Sequence, residues 1–306
     1  MKPLLAPGAR VAIVAPAGQF SAERLVAGTE QLRQWGLEPS FSRHLFAQDL
    51  YFAGTPAQRL SDLQEALADP HIDAVWAARG GYGCAHLLPQ LKLEACPPKL
   101  IIGFSDLTAL LNPLRQAGWL RRGGALVHGP VVQTLAAGPE QGSDNPVLVD
   151  AESRKAMQLL LNGQPQALRT RQCAGPVAAV RGPLVGGNLS VLASLAGTPW
   201  QLNSRGAIVL LEEVGEAPYR IDRLITQLIQ SGSLRGAKAV AVGQLIASQA
   251  IDSQGRSYTG GDLLLKRLEP LGIPVFMDLE FGHGARNLPG LLGAQAKLAG
   301  GQLALQ

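Results

Sequence analysis

The segment from residue 100 to residue 108 presents one hydroxyl group where a strand is expected to turn into a helix. Apolar, mostly branched residues run from Leu100 towards Ser105, and helix-forming residues follow Thr108. A serine at such a turn lies at a helix N-terminus, where backbone N–H groups have no intrahelical partner. Nucleophilic serines are found at strand-to-helix turns of this kind. We therefore interpret Ser105 as a candidate nucleophile and the chain as a candidate hydrolase.

A nucleophilic serine needs a general base, and the chain contains five histidines. His283 has the most suggestive setting because glycines on both sides keep its imidazole on tight, exposed backbone. His128 follows a predicted strand and is an alternative base. A single histidine is more often an ordinary surface or core residue, and His44 and His71 have that character.

A histidine base needs an acidic residue to fix its tautomer and stabilise the imidazolium ion. Glu212 and Glu213 end a predicted strand and are the best candidates. Adjacent strand residues point to opposite faces, so at most one of the two is expected to reach the base. Glu216 is a third possibility. Alternatively, these carboxylates only interact with the dipole of the helix that follows.

The turn that begins at Gly80 and Gly81 could present backbone N–H groups to an oxyanion, together with the amide of Asp106. Alternatively, these glycines only form the turn, which is the more frequent role of glycine. The turn is neither a phosphate-binding loop nor a dinucleotide-binding motif, because neither GxxxxGK[ST] nor a GxGxxG after the first strand occurs. Cys84 follows the turn, and we interpret it as a packed thiol.

Strand and helix patterns alternate through the first 130 residues. Strands are predicted at 11–15, 37–41, 73–78 and 100–104, and helices at 21–35, 56–68 and about 84–91. Repeats of this length predict a parallel, doubly wound sheet. Such sheets bind ligands beyond the C-terminal ends of their strands, where Gly80, Gly81 and Ser105 are expected.

The second half of the chain has a less regular pattern. Residues 136–146 are rich in Gly, Pro, Ser, Asp and Asn, which predicts a linker, and a short helix is expected at about 151–161. Residues 186–188 are expected to open a helix, the apolar spacing over 221–229 predicts an amphipathic helix, and residues 294–305 predict a terminal hairpin. Further strands are predicted at 207–211, 239–242 and 275–278.

Composition and charge exclude several classes of protein for this chain. A chain of 306 residues favours one large or two medium domains. The net charge is +4 and the longest basic run is Arg121-Arg122, so no nucleic-acid partner is expected. Three unpatterned cysteines indicate reduced thiols, and without CxxC or HExxH motifs no metal site is expected. Apolar runs are far shorter than the ~20 residues of a membrane span. We expect a cytoplasmic protein that does not contact a membrane.

Taken together, these segments give the chain a resemblance to a known family over nearly its whole length. The segments that carry it are Arg79-Gly80-Gly81-Tyr82-Gly83; Gly103-Phe104-Ser105-Asp106-Leu107-Thr108; His128-Gly129-Pro130; Gly186-Gly187-Asn188-Leu189; Leu211-Glu212-Glu213-Val214 with Tyr219-Arg220-Ile221-Asp222-Arg223; and Phe281-Gly282-His283 with Asn287. In this order they resemble the LD-carboxypeptidases (murein tetrapeptide carboxypeptidases), a family that includes the microcin C immunity peptidases.

The resemblance implies an α/β fold with two domains. An N-terminal flavodoxin-like domain, a doubly wound parallel sheet, is expected at 1–135. A linker region is expected at 136–175 and a smaller β-rich C-terminal domain at 176–306, with the site in the cleft between the domains. It also implies a triad in which Ser105 is the nucleophile, His283 the base and Glu212 the orienting carboxylate. The family usually has Glu-Asp where this chain has Glu-Glu, and we choose the first residue.

The resemblance further implies a serine-type reaction on a cell-wall tetrapeptide, in peptidoglycan recycling. The terminal D-Ala is removed at an LD bond, with no cofactor and no metal, by an enzyme that is typically a homodimer. Amides of Gly81 and Asp106 are expected to hold the oxyanion, Arg79 to bind the terminal carboxylate, and Asn188 to contact substrate. Two alternatives remain: a peptidase that detoxifies a peptidyl-nucleotide antibiotic of the microcin C type, and a non-catalytic module that binds a peptide or sugar.

Overall fold

A computed structural model describes residues 1–94, 96–136 and 147–306. The strands are β1 (Arg10–Val14), β2 (Glu38–Phe41), β3 (Ala74–Ala77), β4 (Leu100–Gly103), β5 (Ala125–His128), β6 (Leu168–Arg169), β7 (Arg171–Ala174), β8 (Val180–Asn188), β9 (Ile208–Val214), β10 (Ala239–Ile246), β11 (Gln249–Ile251), β12 (Ser257–Thr259), β13 (Val275–Met277), β14 (Gly290–Leu292), β15 (Gln295–Ala299) and β16 (Gln302–Leu305). The α-helices are α1 (Ala22–Gln34), α2 (Pro56–Ala68), α3 (Thr108–Gln116), α4 (Ala151–Leu161), α5 (Leu189–Ser194), α6 (Pro218–Gln230) and α7 (Gly260–Leu268). None of the helices in the described ranges is long and apolar enough to cross a membrane.

These elements form two compact units. The N-terminal unit comprises Met1–Pro165 and Asn287–Leu291, and the C-terminal unit comprises Gln166–Arg286 and Leu292–Gln306. Of the composition-based linker at 136–146, only Ala136 lies within the described residues. The short helix expected after it is present as α4, which Asp150 caps by accepting a hydrogen bond from the Ser153 amide.

The N-terminal unit is built on a parallel sheet with the strand order β2-β1-β3-β4-β5, and β14 lies beside β5. This is the flavodoxin-like order of a doubly wound sheet. Strands β3 and β4 are buried along their whole length, which explains why their sequences are continuous apolar runs rather than alternating patterns. The predicted fold class is confirmed for this unit.

Residues 84–91 do not form the predicted helix. Two short 3-10 helices, Cys84–His86 and Leu88–Gln90, occupy this segment. Pro89 explains the difference, since a proline inside an α-helix lacks the N–H that would bond to the preceding turn and its ring clashes with that turn. The preceding Gly83 has a φ of 129°, so the chain enters the segment from a turn that other residues rarely adopt.

The C-terminal unit is the β-rich domain that the resemblance implies. Its eight-stranded sheet has the order β6-β16-β15-β8-β9-β10-β13-β7, with a parallel centre from β8 to β13. Helices α5, α6 and α7 bury apolar side chains against this sheet, and Ile221, Ile225 and Leu228 of α6 are fully buried, as their spacing predicted. The antiparallel pair β15–β16 confirms the terminal hairpin.

Candidate active site

Ser105 stands at a sharp turn beyond the C-terminal end of β4. Its φ is +60°, a left-handed conformation that costs a non-glycine residue about 1–2 kcal/mol. A short 3-10 helix, Ser105–Leu107, then leads directly into α3. Gly103 permits this reversal, because a Cβ there would lie 2.5 Å from Cγ of Leu107. The hydroxyl therefore lies at a helix start, as the sequence predicted, and the structure adds that its backbone is strained.

The glycine turn after β3 packs against Ser105. A Cβ on Gly80 would lie 2.8 Å from Cβ and 3.2 Å from Oγ of Ser105. Gly81 has a φ of +107°, and a Cβ there would lie 3.0 Å from Cα of Gly18. The structure thus brings the predicted turn to the predicted nucleophile. The amide of Asp106 belongs to the first turn of the following 3-10 helix, where N–H groups lack intrahelical partners.

The side chain of Asp106 ties the turn to the nucleophile's helix. Its Oδ2 accepts a hydrogen bond of 2.8 Å from the backbone amide of Cys84. Burial raises the pKa of the Asp106 carboxyl, and the bonds from Cys84 oppose that rise. Burial and the nearby Asp106 raise the pKa of the Cys84 thiol well above its usual range. These contacts fit the interpretation of Cys84 as a packed thiol.

Arg59 of α2 is a residue that sequence reasoning missed. Although it is only 1% exposed, it donates hydrogen bonds to the carbonyls of Pro16 (2.6 Å), Gly83 (2.9 Å) and Gly54 (3.1 Å). It thereby fixes the far end of the glycine turn to the chain after β1. Its position on the apolar face of a predicted helix could have identified it. An arginine is almost never fully buried unless it is paired, so an arginine on such a face indicates specific hydrogen-bond partners.

Arg79 is half-buried beside the same turn. It donates a hydrogen bond to the carbonyl of Gln19, and the Gln19 side chain in turn donates to the carbonyl of Leu50 at 2.5 Å. Burial lowers the pKa of its guanidinium, which stays charged. One N–H group of Arg79 therefore binds the loop of Gln19, and Gln19 in turn binds the loop of Leu50.

The other expected histidine base, His128, lies inside the N-terminal unit. It ends β5, is fully buried, and its ring meets Phe104 edge-on at a centroid distance of 6.0 Å. His44 contacts Asp62, with 2.8 Å between Nδ1 and Oδ1. Both positions are those of packed or structural histidines.

In the C-terminal unit, His283 and Glu212 form a buried pair. The distance from Nδ1 of His283 to Oε2 of Glu212 is 2.6 Å, and the two residues are 9% and 0% exposed. Burial acts to lower the pKa of His283, but the charge and hydrogen bond of Glu212 outweigh it, so the pKa lies above its usual range. A neutral ring that donates Nδ1–H to Glu212 carries its acceptor lone pair on Nε2.

Glu213, the neighbouring carboxylate, has different partners. It accepts hydrogen bonds from the amide of Ser190 (2.7 Å) and from Nδ2 of Asn188 (3.2 Å). Burial raises its pKa, and these bonds partly oppose the rise. Glu216 pairs with Arg220 at 3.4 Å. Of the three carboxylates considered, the structure therefore brings Glu212 to His283.

Asn188 ends β8 and caps α5. Its Oδ1 accepts hydrogen bonds from the amide of Val191 (3.1 Å) and the hydroxyl of Ser190 (2.8 Å). Together with its bond to Glu213, these contacts fix the orientation of a side chain that is 3% exposed. Across the described ranges, no group of three or more His, Cys, Asp and Glu side chains could hold a metal ion.

The chain matches the models of two domains of one family. The LD-carboxypeptidase N-terminal domain matches residues 11–122, and the LD-carboxypeptidase C-terminal domain matches residues 181–298. The murein tetrapeptide carboxypeptidase of Pseudomonas aeruginosa is 35% identical over 305 residues, which cover 96% of this chain and 94% of that protein.

Solved structures show the same fold. A muramoyltetrapeptide carboxypeptidase from Oxalobacter formigenes has a TM-score of 0.81 at 28% identity, over 97% of each chain. The microcin C7 self-immunity protein has a TM-score of 0.82 at 21% identity, over 100% of this chain and 97% of that one, and this likeness concerns the fold alone. With both domain models matched in order and a carboxypeptidase relative aligned over nearly the whole length, the chain belongs to the LD-carboxypeptidase family of peptidases.

Proposed function

We propose that this protein is a serine carboxypeptidase that removes the terminal D-Ala from murein tetrapeptides at an LD peptide bond, in peptidoglycan recycling. The observation that carries the proposal is the buried contact of 2.6 Å between His283 and Glu212, which is the pair that a serine nucleophile needs as its base. The relative of Pseudomonas aeruginosa, named for murein tetrapeptides, supports the substrate class.

In the acylation step, Nε2 of His283 takes the proton of the Ser105 hydroxyl while Oγ attacks the carbonyl carbon before the terminal D-Ala. Glu212 stabilises the resulting imidazolium ion, and the raised pKa of His283 supports this role. The amides of Gly81 and Asp106 hold the oxyanion. One such donor typically contributes about 10²–10³ in rate.

In the following steps, the imidazolium of His283 gives its proton to the nitrogen of the departing D-Ala, and the peptide bond breaks. The shortened peptide remains as an ester on Ser105. His283 then removes a proton from a water molecule that attacks the ester, and Ser105 regains its proton as the new carboxylate leaves. The N-terminal part of the chain supplies the nucleophile and oxyanion donors, and the C-terminal part supplies the base and its carboxylate.

A carboxypeptidase must also recognise the free carboxylate of its substrate. Arg79 is our candidate, because a guanidinium offers several donors in a planar fork, and one bond to Gln19 does not use them all. Asn188 is our candidate for a contact with the peptide, since Glu213 and the start of α5 hold its side chain in one orientation.

The proposal is tested with purified protein and muropeptides that end in D-Ala or L-Ala, assayed separately, with the free alanine released from each measured by mass spectrometry. We expect release from the D-Ala substrate alone, and loss of at least about 10³-fold in kcat for Ser105→Ala. The melting temperature of the variant controls for folding. Tetrapeptide cleavage by Ser105→Ala at the wild-type rate would exclude Ser105 as the nucleophile.

The same assay separates the alternatives. A structure of the microcin C7 self-immunity protein with aspartyl sulfamoyl adenosine has a TM-score of 0.81 to this chain at 22% identity, so this compound is a suitable comparison substrate. Faster cleavage of that compound than of the tetrapeptide would favour detoxification. A serine-directed fluorophosphonate that forms no adduct with Ser105, while tetrapeptide binds uncleaved, would favour a binding module.

A further inference from the structure

The loop that carries His283, residues 281–286, is bound by one side chain of the neighbouring strand β10. Oε1 of Gln244 accepts a hydrogen bond of 2.6 Å from the amide of Gly284, and its Nε2 donates one of 2.9 Å to the carbonyl of Arg286. The backbone amide of Gln244 also donates to the carbonyl of Phe281 at 2.9 Å. A single residue therefore bonds to the loop before and after the histidine.

An irregularity in β10 directs Gln244 towards this loop. The pairing of β10 with β9 shifts register between Val242 and Leu245, so Gly243 and Gln244 lie at a bulge. Bulges re-aim side chains and occur frequently next to active sites. A Cβ on Gly243 would lie 2.2 Å from the carbonyl oxygen of Phe281, which shows how closely the bulge approaches the loop.

The glycines on either side of His283 make room for the same side chain. A Cβ on Gly284 would lie 2.7 Å from Oε1 of Gln244. Gly282 has a φ of +134°, and a Cβ there would lie 3.2 Å from Cβ of Gln244 and 3.3 Å from Cβ of Glu212. The loop backbone thus packs directly against the side chain of Gln244 and against Glu212 of β9.

We propose that Gln244 is a positioning residue: by binding the loop, it holds the imidazole of His283 at the 2.6 Å contact with Glu212. This inference rests on the proposed role of His283 as the base. A neutral amide suits the task, because it accepts one hydrogen bond and donates another at once. It also adds no charge beside a histidine whose pKa responds to Glu212 and Glu213. Arg286, the charged residue of the loop, pairs with Glu280 at 3.3 Å.

The test compares Gln244→Leu with the matched control Gln201→Leu. Gln201, also in the C-terminal unit, makes the same two kinds of bond: it accepts from the amide of Gly197 (2.6 Å) and donates to the carbonyl of Ser231 (3.0 Å). Neither partner belongs to the His283 loop, so Gln201→Leu measures the cost of losing such a bridge elsewhere. Both variants are assayed for tetrapeptide kcat and KM, melting temperature and the pH profile of kcat/KM.

For Gln244→Leu we expect kcat to fall by about tenfold to 10²-fold with little change in KM, because a misplaced base slows the chemical step. The acid limb of its pH profile should move to lower pH, since the raised pKa depends on the Glu212 contact. Gln201→Leu should keep kcat within about twofold. Equal kcat values and acid limbs for Gln244→Leu and the wild type would overturn the proposal, as would equal losses of kcat in both variants.

If Gln244→Leu does not fold, Gln244→Glu replaces it, because the two side chains have the same shape. Its carboxylate still accepts from Gly284 but repels the carbonyl of Arg286. If its added negative charge is the sole effect of the substitution, the pKa of His283 rises and the acid limb of the pH profile moves while kcat on the plateau stays the same. A fall of kcat on the alkaline plateau, where His283 is neutral, therefore supports positioning, and an unchanged plateau contradicts it.

Titration of the His283 ring by nuclear magnetic resonance, assigned with His283→Ala, tests the contact without turnover. We expect the midpoint to fall in Gln244→Leu and not in Gln201→Leu. Unchanged tetrapeptide cleavage by His283→Ala would refute the proposed function, whereas an unchanged midpoint in Gln244→Leu would refute the positioning role alone. The two failures are therefore distinguishable.

Discussion

The turn that carries Ser105 and the loop that carries His283 are held in place by different physical means. Around Ser105 the constraint is backbone sterics: a positive φ, and glycines that leave no room for a Cβ. Around His283 it is side-chain hydrogen bonding and charge, from Glu212 and Gln244. In the proposed mechanism the serine loses its proton only as it attacks, whereas the histidine has a pKa near neutral pH and changes its protonation state with the pH of the solution. Changes near the serine should therefore act independently of pH, and changes near the histidine should alter the pH dependence.

The largest effect expected on the histidine side comes from its carboxylate. We expect Glu212→Gln to lower kcat by about 10⁴-fold, because the amide favours the wrong tautomer of His283 and cannot stabilise its cation. Glu213→Gln should lower kcat by a far smaller factor, since Glu213 bonds to Ser190 and Asn188 instead. Steady-state kinetics of both variants on a D-Ala tetrapeptide decide the matter. A larger loss in Glu213→Gln would assign the orienting role to the second carboxylate.

On the serine side, Gly80→Ala is expected to lower kcat by about 10²-fold, because its methyl group would lie 2.8 Å from Cβ of Ser105 and displace the turn. The acid limb of the pH profile should stay where it is. Gly197→Ala is the control: residue 197 has a φ of +82° with nothing near its Cβ position, so this variant loses stability but not activity. A shifted acid limb in Gly80→Ala would contradict the separation of steric and electrostatic control.

The pH dependence itself has a defined sign. Because Glu212 raises the pKa of His283, the acid limb of kcat/KM should lie above the ordinary histidine value of about 6.5. The stabilisation from the pair is fully present below that ordinary value, and it is lost as pH rises through the raised folded pKa. Activity should thus increase over the window in which this stabilisation declines. Melting temperatures of wild type and Glu212→Gln between about pH 5.5 and 9 check this, and a difference that grows with pH would contradict it.

The smallest effect concerns the strain at the nucleophile. Ser105→Gly should abolish activity yet raise the free energy of unfolding by up to about 1.5 kcal/mol. Relief of left-handed strain gives about 1–2 kcal/mol, and the larger entropy of unfolded glycine offsets about 0.5–1 kcal/mol of it. Ser40→Gly in β2, where φ is not left-handed, should destabilise instead. Denaturant titrations measure both, and destabilisation by Ser105→Gly would mean that the turn stores no strain.

Much of the fold could be predicted from local pattern. The alternation of apolar strands and capped helices predicted the parallel sheet, and the spacing of Ile221, Ile225 and Leu228 predicted α6. The helix predicted at 84–91 is wrong, because Pro89 cannot continue an α-helix and two short 3-10 helices form instead. Residues 137–146, which composition assigns to a linker, lie outside the described residues.

For the candidate site, local sequence was enough to predict the reactive groups: one serine at a strand-to-helix turn, a glycine turn before it, and a histidine between glycines. Local pattern can do this because turns and strand ends depend on near neighbours. The family resemblance named Glu212 as the partner of His283, and the structure shows their contact. The roles of buried Arg59 at the glycine turn and of Gln244 at the histidine loop emerge from the folded structure alone. These contacts join residues 24 to 71 positions apart, and bonds over such separations depend on how strands pack side by side.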